Sequence, residues 1–427
     1  MSQARDSFDA IVVGGGPAGS SAATVLAQKG RSVALLERER FPRYKVGESL
    51  IPYCWFPLSR LGVVERLDAS SFVVRKHSVQ FVSTDGRLAT PFYFSKHTDH
   101  DCARTWQVVR SEFDLMLLDN ARDHGVEVFQ GTSARELLQE REAVTGVVAR
   151  GEDGADFRLR APVTIDASGR DLFAARRSGW RVADEDLRKV AIWTYYKGAV
   201  RDPGIDEGAT TVAYVPGKGW FWYIPLPNDT VSVGIVAEKD YLYRSHKGDP
   251  DAIFAREAQV NPWIRDHLAA GEQMAPCRVT GDYSYRSQYC AADGLVLAGD
   301  AFAFLDPVFS SGVFLALQSG VMAADAAHEA LAAGDVSAAR FEAYGDHLRR
   351  GIEAMRRLVH AFYDTTFNFG TFLKAHPELS TDLTDCLIGN VYKDLEPLFE
   401  AVGEFARVPA PLPHGRPLGS PVLEASA

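Results

Sequence analysis

Four stretches of the chain carry residues whose types and spacing suit chemistry. The first is Gly14-Gly15-Gly16-Pro17-Ala18-Gly19, with Glu37 downstream. Glycines at 14, 16 and 19 fit a dinucleotide fingerprint: the first permits a tight turn, the second lets backbone approach a pyrophosphate, the third lets helix pack on strand. A helix opening here offers free N–H groups and the positive end of its dipole to an anion. Glu37 stands near the offset of about 20 residues at which an acid accepts from a ribose hydroxyl, and an acid favours an unphosphorylated ribose. An adenine dinucleotide site results, with Ala18 inside its turn. A ligand-free glycine turn is the plainer alternative, and the flanking strand, helix and acid argue against it.

The second stretch is Gly299-Asp300 followed by Pro307, Phe309 and Ser310-Ser311-Gly312. A buried strand ending in Gly-Asp, then a helix start, describes a backbone-lined anion site. The third is Trp220-Phe221-Trp222-Tyr223-Ile224-Pro225, either an aromatic strand core or a wall beside a cofactor. The fourth joins Phe41 to Pro52 (FPRYKVGESLIP), with Arg43, Lys45, Glu48 and Ser49 among apolar residues, to Lys76 in FVVRKHSVQFV. From pattern alone, Lys76 reads first as a solvated strand residue.

The elements that must position these groups alternate. Phe8 to Val13 reads as a buried strand, Ser20 to Gln28 as a helix and Ser32 to Leu36 as the next strand. Tyr53 to Leu67 has helical spacing, Phe72 to Val82 is strand-like, and Gln107 to Ala121 opens with Arg110 and becomes helical. Val126 to Phe129 and Val163 to Asp166 add strands, as a doubly wound α/β domain requires. From Val190 to Val236, strands follow one another without helices, a β-rich second lobe. The chain returns to the first domain at Gly294 to Asp300. Helices are predicted over 313–331 and 341–369. The predicted division is a discontinuous nucleotide-binding domain (1–82, 107–182, 281–345), an inserted β-sheet substrate domain (83–106, 183–280), a helical carboxy-terminal region (346–407) and a flexible tail (408–427) rich in Pro, Ala, Gly and Ser.

With 427 residues, 46% of them hydrophobic, the chain suits a multi-lobed enzyme, and its formal charge of −10 disfavours a nucleic-acid partner. Five scattered cysteines form no CxxC, and no histidine spacing suggests a metal. A strand beginning at residue 8 leaves no room for a signal peptide, and no apolar run is long enough to span a bilayer. These features predict a cytoplasmic protein.

Together the motifs resemble FAD-dependent enzymes of the aromatic-hydroxylase fold, and three of them narrow the resemblance to the flavin-dependent halogenases over residues 8 to 370. GESLIP (47–52), Trp220-x-Trp222-x-Ile224-Pro225 and Lys76 each resemble family signatures, and GDAFAFLDPVFSSG (299–312) resembles the flavin- and halide-binding loop. In the tryptophan-directed members a glutamate precedes the Ser-Ser/Thr-Gly of that loop. Phe309 stands there instead, as in the phenol- and pyrrole-directed branch of antibiotic biosynthesis.

The resemblance implies that Gly14, Gly16, Ala18, Gly19, Glu37, Arg43, Ser49, Arg110, Asp300 and Gly312 hold FAD. It implies that FADH2 and O2 give a flavin hydroperoxide, that chloride or bromide held by Ser311 and Gly312 attacks it, and that Lys76 delivers the hypohalous acid to a free or carrier-tethered phenol or pyrrole. Trp220, Trp222, Pro225, Pro307 and Phe309 would wall the site. No second glycine fingerprint appears, so a separate flavin reductase is implied as partner. A hydroxylase or reductase of the same fold, or a non-catalytic escort protein without flavin, are the alternatives.

Overall fold

The computed structural model describes residues 5–217, 219–245, 248–281, 284–412 and 415–418. Its main sheet forms because Ala10–Val13 is four apolar residues buried on both faces, the signature of a central parallel strand. Val33–Glu37 and Val163–Asp166 flank it in parallel, and Glu127–Gln130 and Leu295–Leu297 extend the sheet on either side. Tyr289–Ala292 adds an antiparallel strand beyond Leu295–Leu297. The helices Pro17–Gln28 and Gly312–Ala333 cross tightly over this sheet, because Gly320 lies against the Ala18 carbonyl, where a Cβ would come within 2.2 Å.

The second sheet is antiparallel over Lys189–Lys197, Thr230–Glu238, Gly219–Leu226 and Thr210–Val215. Period-two alternation divides its faces. Phe221 and Tyr223 pack with Phe254, Trp263 and Ile264 of the covering helices Pro250–Ala258 and Pro262–Leu268. Trp220, Trp222 and Ile224 point the other way, into the core shared with the main sheet. Ser133–Glu140, Ala143–Arg150 and Asp156–Arg160 form a third, antiparallel sheet, where the sequence had suggested only alternating strands and helices.

Several expected boundaries move. The run from 72 to 82 breaks at His77: Val73–Lys76 pairs with Thr105–Val108, whereas Ser78–Val82 pairs with Thr210–Val215 in the second sheet. A boundary at 345 would cut the continuous helix Glu342–Tyr363, whose Tyr344 hydroxyl donates to the Leu297 carbonyl of the main sheet. That helix stops before 369 because the Asp364 carboxylate accepts from the Thr366 N–H, and Asn368 then caps Phe369–Ala375. The segment expected to be a mobile tail contributes Arg416–Pro417 to the edge of the main sheet, secured by the Leu418 N–H on the Ala291 carbonyl. A proline fits there because an edge strand needs no donor on its outer side. Residues 413–414 and 419–427 of the expected tail lie outside the described residues.

Candidate active site

At the carboxyl ends of the parallel strands opens a cleft of ≈ 730 Å³. Gly14, Gly16, Pro17, Ala18 and Glu37 line one end. Gly14 has φ +106°, and a Cβ there would lie 2.3 Å from the Ala167 carbonyl oxygen. Gly19 is fixed by packing instead: its Cβ would lie within 2 Å of the Gly14 carbonyl. Above Gly16 the nearest atom to an added Cβ is Arg43 Nη2 at 3.6 Å, so backbone N–H and guanidinium face one open space suited to a pyrophosphate. The Glu37 carboxylate accepts from the Gly15 and Glu39 N–H groups, 2.8 Å each, which fixes its orientation and leaves lone pairs for a ribose.

Arg43 and Arg110 converge on a fully buried Asp114, at 2.7 and 2.9 Å. Arg110 also donates to the Val46 and Gly47 carbonyls, tying the 41–52 segment over the cleft. Sequence reasoning missed Asp114, although its spacing of four from Arg110 on one helix was a signal. Burial pushes the Asp300 carboxyl up to about 6, against the pull of Arg110, Arg170 and Lys45.

Past Pro17, Val46, Arg110 and Asp300, which line both spaces, the cleft continues into a cavity of ≈ 210 Å³. Trp193, Trp220, Trp222, Ile224, Pro307, Ser310 and Gly312 line it, with Glu48, Ser49 and Thr210. A polar cleft running into an aromatic chamber fits a cofactor with a nucleotide at one end and a flat ring at the other, as FAD has. Trp193 and Gly234 were missed. Gly234 lies in register between Trp193 and Trp222 on neighbouring strands, and a Cβ there would come within 2.4 Å of both. The Trp220 indole N–H donates to Tyr363, which donates to a buried Asp306.

Two expected wall residues lie elsewhere. Pro225 is on the opposite strand face from Trp220 and Trp222, and alternation puts Ile224 in its place. Phe309 is buried edge-on against Phe362 and Phe369, as core rather than cavity lining. At the loop expected to hold halide, Ser310 is left-handed (φ 55°) and Ser311 right-handed (φ −76°), so successive N–H groups converge at the start of the Gly312–Ala333 helix. Ser310 and Gly312 face the cavity, and Ser311 is buried beside them.

Lys76 lies behind this cavity and is only 1% exposed. Its Nζ donates to Ser49 Oγ at 2.8 Å and to the Leu50 carbonyl at 3.0 Å, and lies 5.7 Å from the Phe94 ring centre. Ser49 Oγ is 2.8 Å from Thr210 Oγ1, which also accepts from Gln107. Since Ser49 and Thr210 line the cavity, a pair of hydroxyls separates it from the lysine. Burial pulls the amine down from 10.5 to about 7.

The tryptophan halogenase family model matches residues 9–107 and 85–376. The chain is 34% identical over 385 residues to the 1H-pyrrole-2-carbonyl-[peptidyl-carrier protein] brominase of Pseudoalteromonas luteoviolacea, covering 90% of this chain and 92% of that one. It is 31% identical over 410 residues to the corresponding chlorinase of Pseudomonas fluorescens, covering 90% of each. The structure of the flavin-dependent brominase Bmp2 superposes with a TM-score of 0.84 at 30% identity, over 93% of this chain and 98% of that one. The myxobacterial chondrochloren halogenase CndH gives 0.80 at 31% identity, over 94% and 96%. With a dinucleotide cleft leading to an aromatic chamber, and relatives of this kind matching nearly end to end, this chain belongs to the flavin-dependent halogenases, enzymes that use FAD, dioxygen and halide.

Proposed function

We propose that this chain chlorinates an electron-rich ring, a pyrrole or phenol, presented on a carrier protein, and that Lys76 delivers the oxidised halogen. The observation that carries this reading is the sealed lysine, held by neutral partners one hydroxyl pair behind the cofactor cavity and pulled down to about 7. Bound FAD in its reduced form supplies the electrons with which dioxygen oxidises halide. The chain's own residues do the rest. The N–H groups of Ser311 and Gly312 hold the halide, and Trp220, Trp222 and Pro307 keep the aromatic substrate off the cofactor ring. Hypohalous acid leaving the cavity meets Ser49 and Thr210, then the lysine. At neutral pH about half of such amines are unprotonated, with a lone pair to accept a hydrogen bond from the acid or to take its halogen. Sequestration protects the protein from a diffusing oxidant.

The side chain at 309 supports the substrate class. With Phe309 packed into the core, position 309 brings no carboxylate base to the cavity for the ring proton lost after attack, and the heteroatom lone pair of a pyrrole or phenol stabilises the cationic ring without one. The two relatives named for carrier-bound pyrrole-2-carbonyl substrates support tethering. For the division of labour, we assign the main sheet to the cofactor, the second sheet to covering the substrate, and the reduction of FAD to a separate reductase. Among the described residues no helix is long and apolar enough to cross a membrane, and the five cysteines are free, which suits a cytoplasmic setting.

Mass spectrometry tests this reading. Carrier-tethered pyrrole-2-carboxylate and free phenols are incubated with the protein, FAD, a flavin reductase, NADH, dioxygen and equimolar chloride and bromide. A chlorine-sized mass gain absent from Lys76→Ala is expected. Halogenation that persists in that variant overturns the lysine's role, and oxygen insertion independent of halide overturns the reaction.

A further inference from the structure

We infer that Glu48, Tyr195 and Tyr44 form a proton relay from solvent into the cofactor cavity. The family reaction requires a proton. Reduced flavin, dioxygen, halide and an aromatic C–H become oxidised flavin, a carbon–halogen bond and two waters only if one proton is taken up each turnover. A cavity walled by three tryptophans, with its cleft filled by the cofactor, offers that proton few routes.

Glu48 lines this cavity and is 2% exposed. Tyr195 Oη donates to Glu48 Oε1 at 2.6 Å, and Tyr44 Oη lies 3.1 Å from Tyr195 Oη. Tyr195 has one hydroxyl proton, given to Glu48, so it accepts from Tyr44. Tyr44 is 40% exposed and lines neither space. Its oxygen also accepts from the Trp193 indole N–H at 2.8 Å, and Arg278 lies over its ring at 3.9 Å, so it is held in place. The second Glu48 oxygen accepts from the Gly47 N–H. The chain of three groups thus starts in water and ends in the cavity.

The transfer balances simply. Tyr44 gives its proton to Tyr195 and regains one from water, Tyr195 gives its own to Glu48, and the carboxyl releases one into the cavity. Both phenols end neutral. Burial raises the affinity of Glu48 for that proton, opposed by the hydrogen bond from Tyr195 and by the Arg110 guanidinium. Arg170 and Asp300 are the other charged groups lining the same cavity.

The experiment uses the FAD-loaded protein and reads the protonated Glu48 carboxyl by infrared spectroscopy after a pH jump, the band being assigned by its loss in Glu48→Gln. Tyr44→Phe and Tyr195→Phe keep the rings. The relay predicts that equilibration of this band slows about 10-fold or more in both, with the Tyr44→Phe endpoint unchanged. Single-turnover halogenation slows with it, by up to about 10²-fold, as expected for loss of a positioned proton donor. Unchanged equilibration in both variants, or no titrating band in the parent protein, overturns the relay. Because the infrared readout needs no substrate, it stands or falls apart from the assignment of the ring.

Discussion

The cofactor cleft and the lysine chamber are neighbours that treat buried charge in opposite ways. In the cleft, Asp114 is fully buried between two arginines, and Glu37 is held by two backbone N–H groups, so these two carboxylates have charged or donor partners. Behind the cavity, Lys76 is as deeply buried and meets a hydroxyl, a carbonyl and an aromatic ring. A paired charge binds and holds shape. One desolvated among neutral partners is held at the edge of losing its proton, which suits the halogen-accepting role proposed for Lys76. The cleft is therefore built for affinity and the chamber for reactivity.

The largest effect expected from breaking this contrast is on chemistry. Lys76→Met should lower halogenation about 10²- to 10⁴-fold while FAD binding and flavin oxidation continue, which product mass and flavin absorbance report separately. Next in size is Asp114→Asn, which strands two buried guanidinium groups and should cost about 3–5 kcal/mol in chemical denaturation, with loss of FAD affinity. The same Lys76→Met protein should shift stability in the opposite direction, by about 1–4 kcal/mol at pH 6.

The sign of that shift follows from linkage. The lysine binds its proton with a pKa of about 7 when folded and about 10.4 when unfolded, so the unfolded chain holds more protons between those values. The cost of burying it is full below pH 7 and fades as pH rises towards 10. The stability gap between Lys76→Met and its parent should therefore shrink from pH 6 to pH 9, and a constant gap would mean the lysine is paired like the arginines of the cleft. Smallest is the loss of the Tyr363 hydroxyl, which holds the Trp220 indole and donates to Asp306. Tyr363→Phe should cost about 1–3 kcal/mol, checked by thermal unfolding, with a change in Trp220 fluorescence.

Reading the sequence located the cleft well because its determinants are local. A tight turn, a helix start and an acid a fixed distance on are properties of consecutive residues, so Gly14, Gly16, Gly19 and Glu37 could be picked out, and the fold brings Gly14, Gly16 and Glu37 to one cleft. The chamber was legible only through resemblance. Nothing in FVVRKHSVQFV distinguishes a solvated lysine from a sealed one, since burial of Lys76 comes from Leu50, Cys54 and Phe94, distant in sequence. Pro225 and Phe309 were misplaced for the same reason: the face a strand residue presents, and which aromatic side chain fills a core, depend on partners the local pattern does not name.

What the chain determined alone is the glycine-rich turn after the first strand, the alternation of the main sheet and the aromatic strand, because backbone conformation and amphipathic period are written in neighbours. Tertiary structure alone decided that the strand breaks at His77, sending Lys76 to one sheet and Ser78 to another. It also decided that Gly234 clears room for Trp193 and Trp222, that Asp114 joins two arginines, and that Tyr44, Tyr195 and Glu48 line up. Each of these rests on contacts between residues far apart in the chain, and only the packed fold, with its low dielectric, sets which charges are paired and which are left ready to react.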